Sequence, residues 1–89
     1  TVKELESLTR LTHLWLDDNQ ISDIRGLEKL RELVQLNLDG NQLTNIRMLG
    51  RLTRLKELNL MDNPGLTRAQ VSALRNVLPA CRIFSNATR

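Results

Sequence analysis

The hydrophobic positions along this chain fall into a repeating order. Residues 11–21 read LTHLWLDDNQI, residues 33–43 read LVQLNLDGNQL, and from residue 55 the chain reads LKELNLMDNPGL. Leu11, Leu33 and Leu55 are spaced 22 residues apart, as are Leu14, Leu36 and Leu58, then Leu16, Leu38 and Leu60, then Asn19, Asn41 and Asn63. The halves between them also align, with Ile24 over Ile46, Leu27 over Leu49 and Leu30 over Leu52. Agreement of so many columns at one offset marks an internal repeat.

Each repeat carries two periodicities. In the LxLx stretch the leucines alternate, which places them on one face of a strand. After the Asn, apolar residues recur every third position (21, 24, 27, 30, 33), a spacing that suits a tight 3₁₀-like or helical return. A single strand and return cannot bury its own leucine face. Stacking the coils buries a continuous core and pairs each strand in parallel with the next. Asn19, Asn41 and Asn63 stand where the chain leaves the strand, and their amides can satisfy backbone groups that would otherwise be buried and unpaired. They are read as structural residues.

The LxxLxLxxNxL pattern resembles the leucine-rich repeat family. The 22-residue length, with Ile24, Leu27 and Leu30 behind the Asn, resembles the subclass seen in a type 1 phosphatase regulatory subunit and in bacterial internalins. The resemblance covers nearly the whole chain. It implies an α/β solenoid: a right-handed coil of short parallel strands forming a concave sheet, with 3₁₀ or helical returns and a capped C-terminal end.

The two ends of the chain differ. NPGL inserts one residue, so Leu66 takes the place of Ile21 and Leu43, and Thr67 through Gln70 read as a capping box. Val71, Leu74, Val77 and Leu78 follow at helical spacing, and Pro79 stops the helix. Counting on from Leu66 puts Cys81 and Ile83 at the positions of Leu58 and Leu60, so CRIF is expected as a final strand with Cys81 buried. LPxCxIF after a helix resembles the ending of many bacterial leucine-rich-repeat proteins. The expected organisation is therefore half a repeat in 1–10, repeats in 11–65, a cap in 66–84 and a polar tail in 85–89 that frays. At the front, Val2, Leu5 and Leu8 align with Ile24, Leu27 and Leu30, and no strand precedes them. The strand at Leu14 and Leu16 is then an open edge, expected to continue into further repeats or to be covered by another molecule. Self-association through that edge is a further expectation.

Composition sharpens this picture. Nineteen Leu against two aromatics, Trp15 and Phe84, is the signature of one packing unit reused many times. The formal charge of +3 is too small an excess to argue for a nucleic-acid partner. The basic columns of the returns (Lys3, Arg25, Arg47; Lys29, Arg51) lack interleaved aromatics and a glycine-rich cradle, and Glu28 and Glu32 interrupt them. One cysteine permits neither an intrachain disulfide nor a cysteine metal cluster, and no apolar run is long enough to insert in a membrane.

The resemblance implies that exposed strand positions line a concave protein-binding face. These include His13, Gln35 and Glu57 in one column, Trp15, Asn37 and Asn59 in another, and Asp17 and Asp39 at the rim. Trp15 lies between inward Leu14 and Leu16, so alternation turns its ring outward, where it either anchors a partner or only shields its neighbours. Asp17 and Asp39 face the same way on adjacent strands about 5 Å apart, an unfavourable pairing that a basic partner, a cation or solvent would relieve. Calcium would need six or more oxygens, more than these positions supply, so no metal or other cofactor is expected. His13 is the single histidine, no serine has a nucleophile-elbow context, and an open sheet has no water-excluding pocket. The chain is read as a non-enzymatic protein-binding module. The alternative is a structural segment that extends or caps a longer solenoid without a recognition surface of its own.

Overall fold

A computed structural model describes residues 2–89. Four short strands, β1 (His13–Trp15), β2 (Gln35–Asn37), β3 (Glu57–Asn59) and β4 (Arg82–Phe84), form one parallel sheet in chain order. The returns contain 3₁₀ segments at Val2–Ser7, Leu27–Lys29 and Arg47–Arg51, and the last return contains a helix, α1 (Arg68–Val77). The fold is a leucine-rich-repeat solenoid: strands stack on strands, returns stack on returns, and the leucines fill the space between.

Stacking is in strict register for the first three coils. Leu14 pairs with Leu36 and Leu36 with Leu58, each flanked by outward neighbours in the same register. In the middle of the stack the columns are sealed: Leu36, Leu58, Leu27 and Leu49 have no exposed surface. Leucine suits the site because one γ-branched shape, repeated every coil, interdigitates without voids. Each of the first three strands exits through a left-handed residue, Asp18 (φ 59°), Gly40 (φ 68°) or Asp62 (φ 58°). Aspartate and glycine are among the few residues that adopt this conformation readily.

Asparagine ties the coils together behind that turn. The Asn41 amide nitrogen lies 3.0 Å from the carbonyl oxygens of Leu16 and Leu38 and 3.2 Å from that of Asp39. Its Oδ1 accepts from the backbone N–H groups of Asn19 and Ile21. Asn63 repeats the arrangement one coil later, reaching the Leu38, Leu60 and Met61 carbonyls and accepting from Leu43 N–H. Both side chains are buried. Asn19 is exposed and keeps a single side-chain bond, to the Asp17 carbonyl of its own turn. Its column is the same, but no earlier carbonyl lies beside it among the described residues.

The cap departs from the sequence-based expectation in its register. Ile83 pairs with Leu58 rather than standing in the column of Leu60, and Arg82 and Phe84 pair with Glu57 and Asn59. Cys81 lies before β4, half-buried beside the core, and is not the fully buried strand residue expected. The cause is the return itself. An α-helix advances only about 1.5 Å per residue against about 2.0 Å for a 3₁₀ segment, so spanning the same path consumes more chain. The capping box at its start is present: Thr67 accepts from Gln70 N–H at 3.1 Å, and the Gln70 side chain accepts from Thr67 N–H at 2.9 Å. Val71, Leu74 and Leu78 form the buried stripe, whereas Val77, expected inward with them, is 60% exposed. Position 77 lies a further 100° around the helix from 78 and misses the core.

Hydrogen bonds connect the polar tail to the body of the chain. Asn86 and Asp62 exchange two hydrogen bonds of 2.9 Å, and Arg68 N–H donates to the Arg89 carbonyl at 2.8 Å. The turn after β3 and the start of α1 supply the partners for its polar groups.

Candidate functional site

The outward faces of the four strands form the candidate site. Because side chains alternate along a strand, every second residue of each coil reaches this surface. Two rows cross the sheet. One runs His13, Gln35, Glu57, Arg82 and the other Trp15, Asn37, Asn59, Phe84.

The first row is largely self-paired. Gln35 Nε2 donates to Glu57 Oε2 at 2.7 Å, and the Arg82 guanidinium lies 3.8 Å from Glu57 Oε1. Glu57 therefore has its charge partner within the row. The second row is different. Trp15, 55% exposed, and Phe84, 41% exposed, stand at its two ends with the amides of Asn37 and Asn59 between them. The His13 ring stacks on Trp15, with centroids 5.9 Å apart and planes 17° from parallel. The Arg82 guanidinium lies 5.9 Å from the Phe84 ring centroid. Arg82 and Phe84 were absent from the surface expected from the sequence, although the alternation of the CRIF segment, with Cys81 and Ile83 inward, turns both outward in either register.

Beyond the second row lies an acidic rim. Asp39 N–H donates to Asn37 Oδ1, and Asp39 Oδ1 accepts from Met61 N–H, both at 2.9 Å. Burial pushes the Asp39 carboxyl above its usual range, opposed by the bond from Met61 and reinforced by the charges of Asp62, Asp17 and Asp18. Among the described residues, no Lys or Arg is paired with Asp17, Asp18, Asp39 or Asp62, and no group of three or more His, Cys, Asp or Glu is arranged to hold a metal ion. On the convex side, Arg25 pairs with Asp23 at 2.7 Å, which holds the Asp23 carboxyl below its usual range, so the basic column is partly neutralised. Burial raises the Cys81 thiol, with the nearby Glu57 charge adding to the effect. A thiol so shifted is a poor nucleophile at neutral pH. No helix of the described residues is long and apolar enough to cross a membrane.

Comparison with known proteins agrees with the coil geometry. Residues 9–51 match the family model described as Leucine Rich repeats (2 copies). A leucine-rich-repeat protein of Leptospira interrogans is 30% identical over 91% of this chain, with a TM-score of 0.79 and 21% of its own length covered. Internalin C2 of Listeria monocytogenes is 27% identical over the full chain, with a TM-score of 0.84 and 39% of its length covered. A further internalin of the same organism is 30% identical over the full chain, with a TM-score of 0.72 and 25% of its length covered. The chain thus spans between about a fifth and two fifths of the solved proteins it resembles. No curated protein matches it. Fold and comparison agree on a leucine-rich-repeat solenoid, with bacterial proteins among the solved structures the chain resembles.

Proposed function

We propose that this chain is a non-enzymatic protein-binding module whose concave strand face, centred on Trp15 and the Asp17–Asp39 rim, receives a partner. The supporting observation is Trp15 itself. It is the most exposed large apolar side chain of the sheet, with the His13 ring stacked beside it. Aromatic anchors held in this way dominate binding energy at protein interfaces. Asn37, Asn59, Gln35 and Glu57 supply the surrounding polar contacts. The 22-residue spacing and the likeness to internalins support reading these repeats as the internalin kind, with 66–84 as their C-terminal cap.

A second reading is favoured by one feature. Leu11, Leu14 and Leu16 are only half-buried, and Leu8 is 47% exposed, at the edge where β1 has no outer neighbour among the described residues. That edge suits a chain whose role is to extend a longer solenoid, or to pair with a second copy.

Capture experiments separate the two. Trp15→Ala, Asn37→Ala and Asp39→Asn should each weaken a partner's binding while leaving the melting temperature within a few degrees. If partners bind all three variants as tightly as wild type and respond only to core changes such as Leu36→Ala, the concave face is not the recognition surface.

A further inference from the structure

Resting on the concave-face reading, we infer that the partner segment is extended and basic, crossing the strands with a lysine or arginine side chain seated beside Trp15 at the acidic rim of Asp17 and Asp39. Three features of the sheet lead there.

The first is the neighbourhood of the Trp15 ring. His13 and Trp15 are alternate residues of one strand, and their rings are nearly parallel. Past Trp15 the chain turns at Asp17 and Asp18, so the exposed ring lies between the His13 imidazole and the acidic strand exit. An aromatic ring with carboxylates beside it is suited to a cation, through the ring quadrupole and the charge together.

The second is charge. The rim beside this ring carries Asp17, Asp18, Asp39 and Asp62, and among the described residues no Lys or Arg is paired with any of them. The one arginine on the strand face, Arg82, is already paired with Glu57 at the opposite end of the sheet. In a chain of net charge +3, this surface has the opposite sign to the whole, so a basic segment is drawn to it and an acidic one is not.

The third is length. Trp15 and Phe84 are three strand spacings apart, about 14 Å. An extended chain rises about 3.4 Å per residue, so four residue steps join the two rings. Between them the Asn37 and Asn59 amides lie under the crossing backbone, groups able both to donate to and to accept from a peptide unit. The segment therefore has a cation at one end and an apolar side chain four residues away over Phe84.

The experiment is selection of a random nonapeptide display library on immobilised chain, with depletion on the Trp15→Ala variant. Trp15, the only tryptophan, then reports binding of the selected synthetic peptides through its own fluorescence. The inference expects peptides with Lys or Arg four residues from an apolar residue. It also expects the Asp17→Asn/Asp39→Asn double variant to bind them on the order of tenfold more weakly, and affinity to fall as salt is raised. The Asn replacements keep an acceptor for Met61 N–H, so a melting temperature at or above that of wild type excludes misfolding. Trp15-dependent peptides without basic residues would overturn the cation assignment and leave the concave-face reading standing. Enrichment of no Trp15-dependent peptide would count against both. Concentration-dependent self-association abolished by Trp15→Ala would assign the face to a second copy and overturn the extended basic segment.

Discussion

The first coil and the second coil carry nearly the same sequence pattern and lead different physical lives. Leu36 and Leu38 of the second coil are fully sealed, whereas Leu14 and Leu16 of the first keep part of their surface in water. The Asn41 side chain bonds two coils together from a buried position, whereas the Asn19 side chain bonds only within its own turn among the described residues. The motif specifies the shape of a coil, but the burial of that coil is set by its neighbours. In a solenoid, stability is close to a sum of coil and interface contributions, so an identical change should cost more where two interfaces surround it.

Leucine truncation offers the largest contrast. Leu36→Ala leaves a cavity between two coils and should cost about 3–5 kcal/mol, against about 1–2 kcal/mol for Leu14→Ala, which partly refills with water. Chemical denaturation of the two variants measures the difference. Equal losses would mean that the edge is as well packed as the middle. Removing asparagine comes next. Asn41→Ala strands carbonyls and N–H groups in a buried space and should cost about 3 kcal/mol, while Asn19→Ala should cost under about 1 kcal/mol. A smaller effect is expected at the cap, where Thr67→Ala removes the N-terminal acceptor of α1 for about 1 kcal/mol. Trp15→Ala should change stability least, within about 0.5 kcal/mol, because its ring is mostly in solvent.

Asp39 adds a pH signature to the second coil. Its folded carboxyl is shifted upward, mainly by burial, so the folded state favours the protonated form. The stability this provides is fully present below the unfolded pKa of about 3.9 and is lost as the pH rises through the folded value. Asp39→Asn, which cannot ionise, should therefore melt above wild type at pH 7, and the gap should close near pH 3. Melting curves at the two pH values read this directly; a gap unchanged with pH would place its origin elsewhere.

Much of this was legible in the chain because repetition amplifies weak signals. Each LxLx segment alone is ambiguous, but three at one offset specify strand, inward face and stacking together. The capping box at Thr67 and Gln70 was legible for a different reason, since its chemistry is complete within four residues. What escaped lay where repetition stops. The register of β4 depended on how much chain the α-helical return consumes, and an error of two residues hid that Arg82 stands beside Glu57 and Phe84 beside Asn59. The bonding of Asn86 to Asp62 joins residues 24 apart that share no motif. The exposure of Asn19 depends on what stands beside it in space, which its own column does not encode. The outward orientation of Trp15 followed from alternation alone, but its stacking on His13 did not.

Native-state hydrogen exchange tests the central claim, that position in the stack rather than motif sets the strength of a coil. Leu16 N–H donates to the Asn37 carbonyl and Leu38 N–H to the Asn59 carbonyl, equivalent bonds one coil apart at 2.9 Å. If neighbours decide, Leu38 exchanges at least about tenfold more slowly than Leu16, through openings that cost more free energy. Equal protection of the two amides would contradict the account.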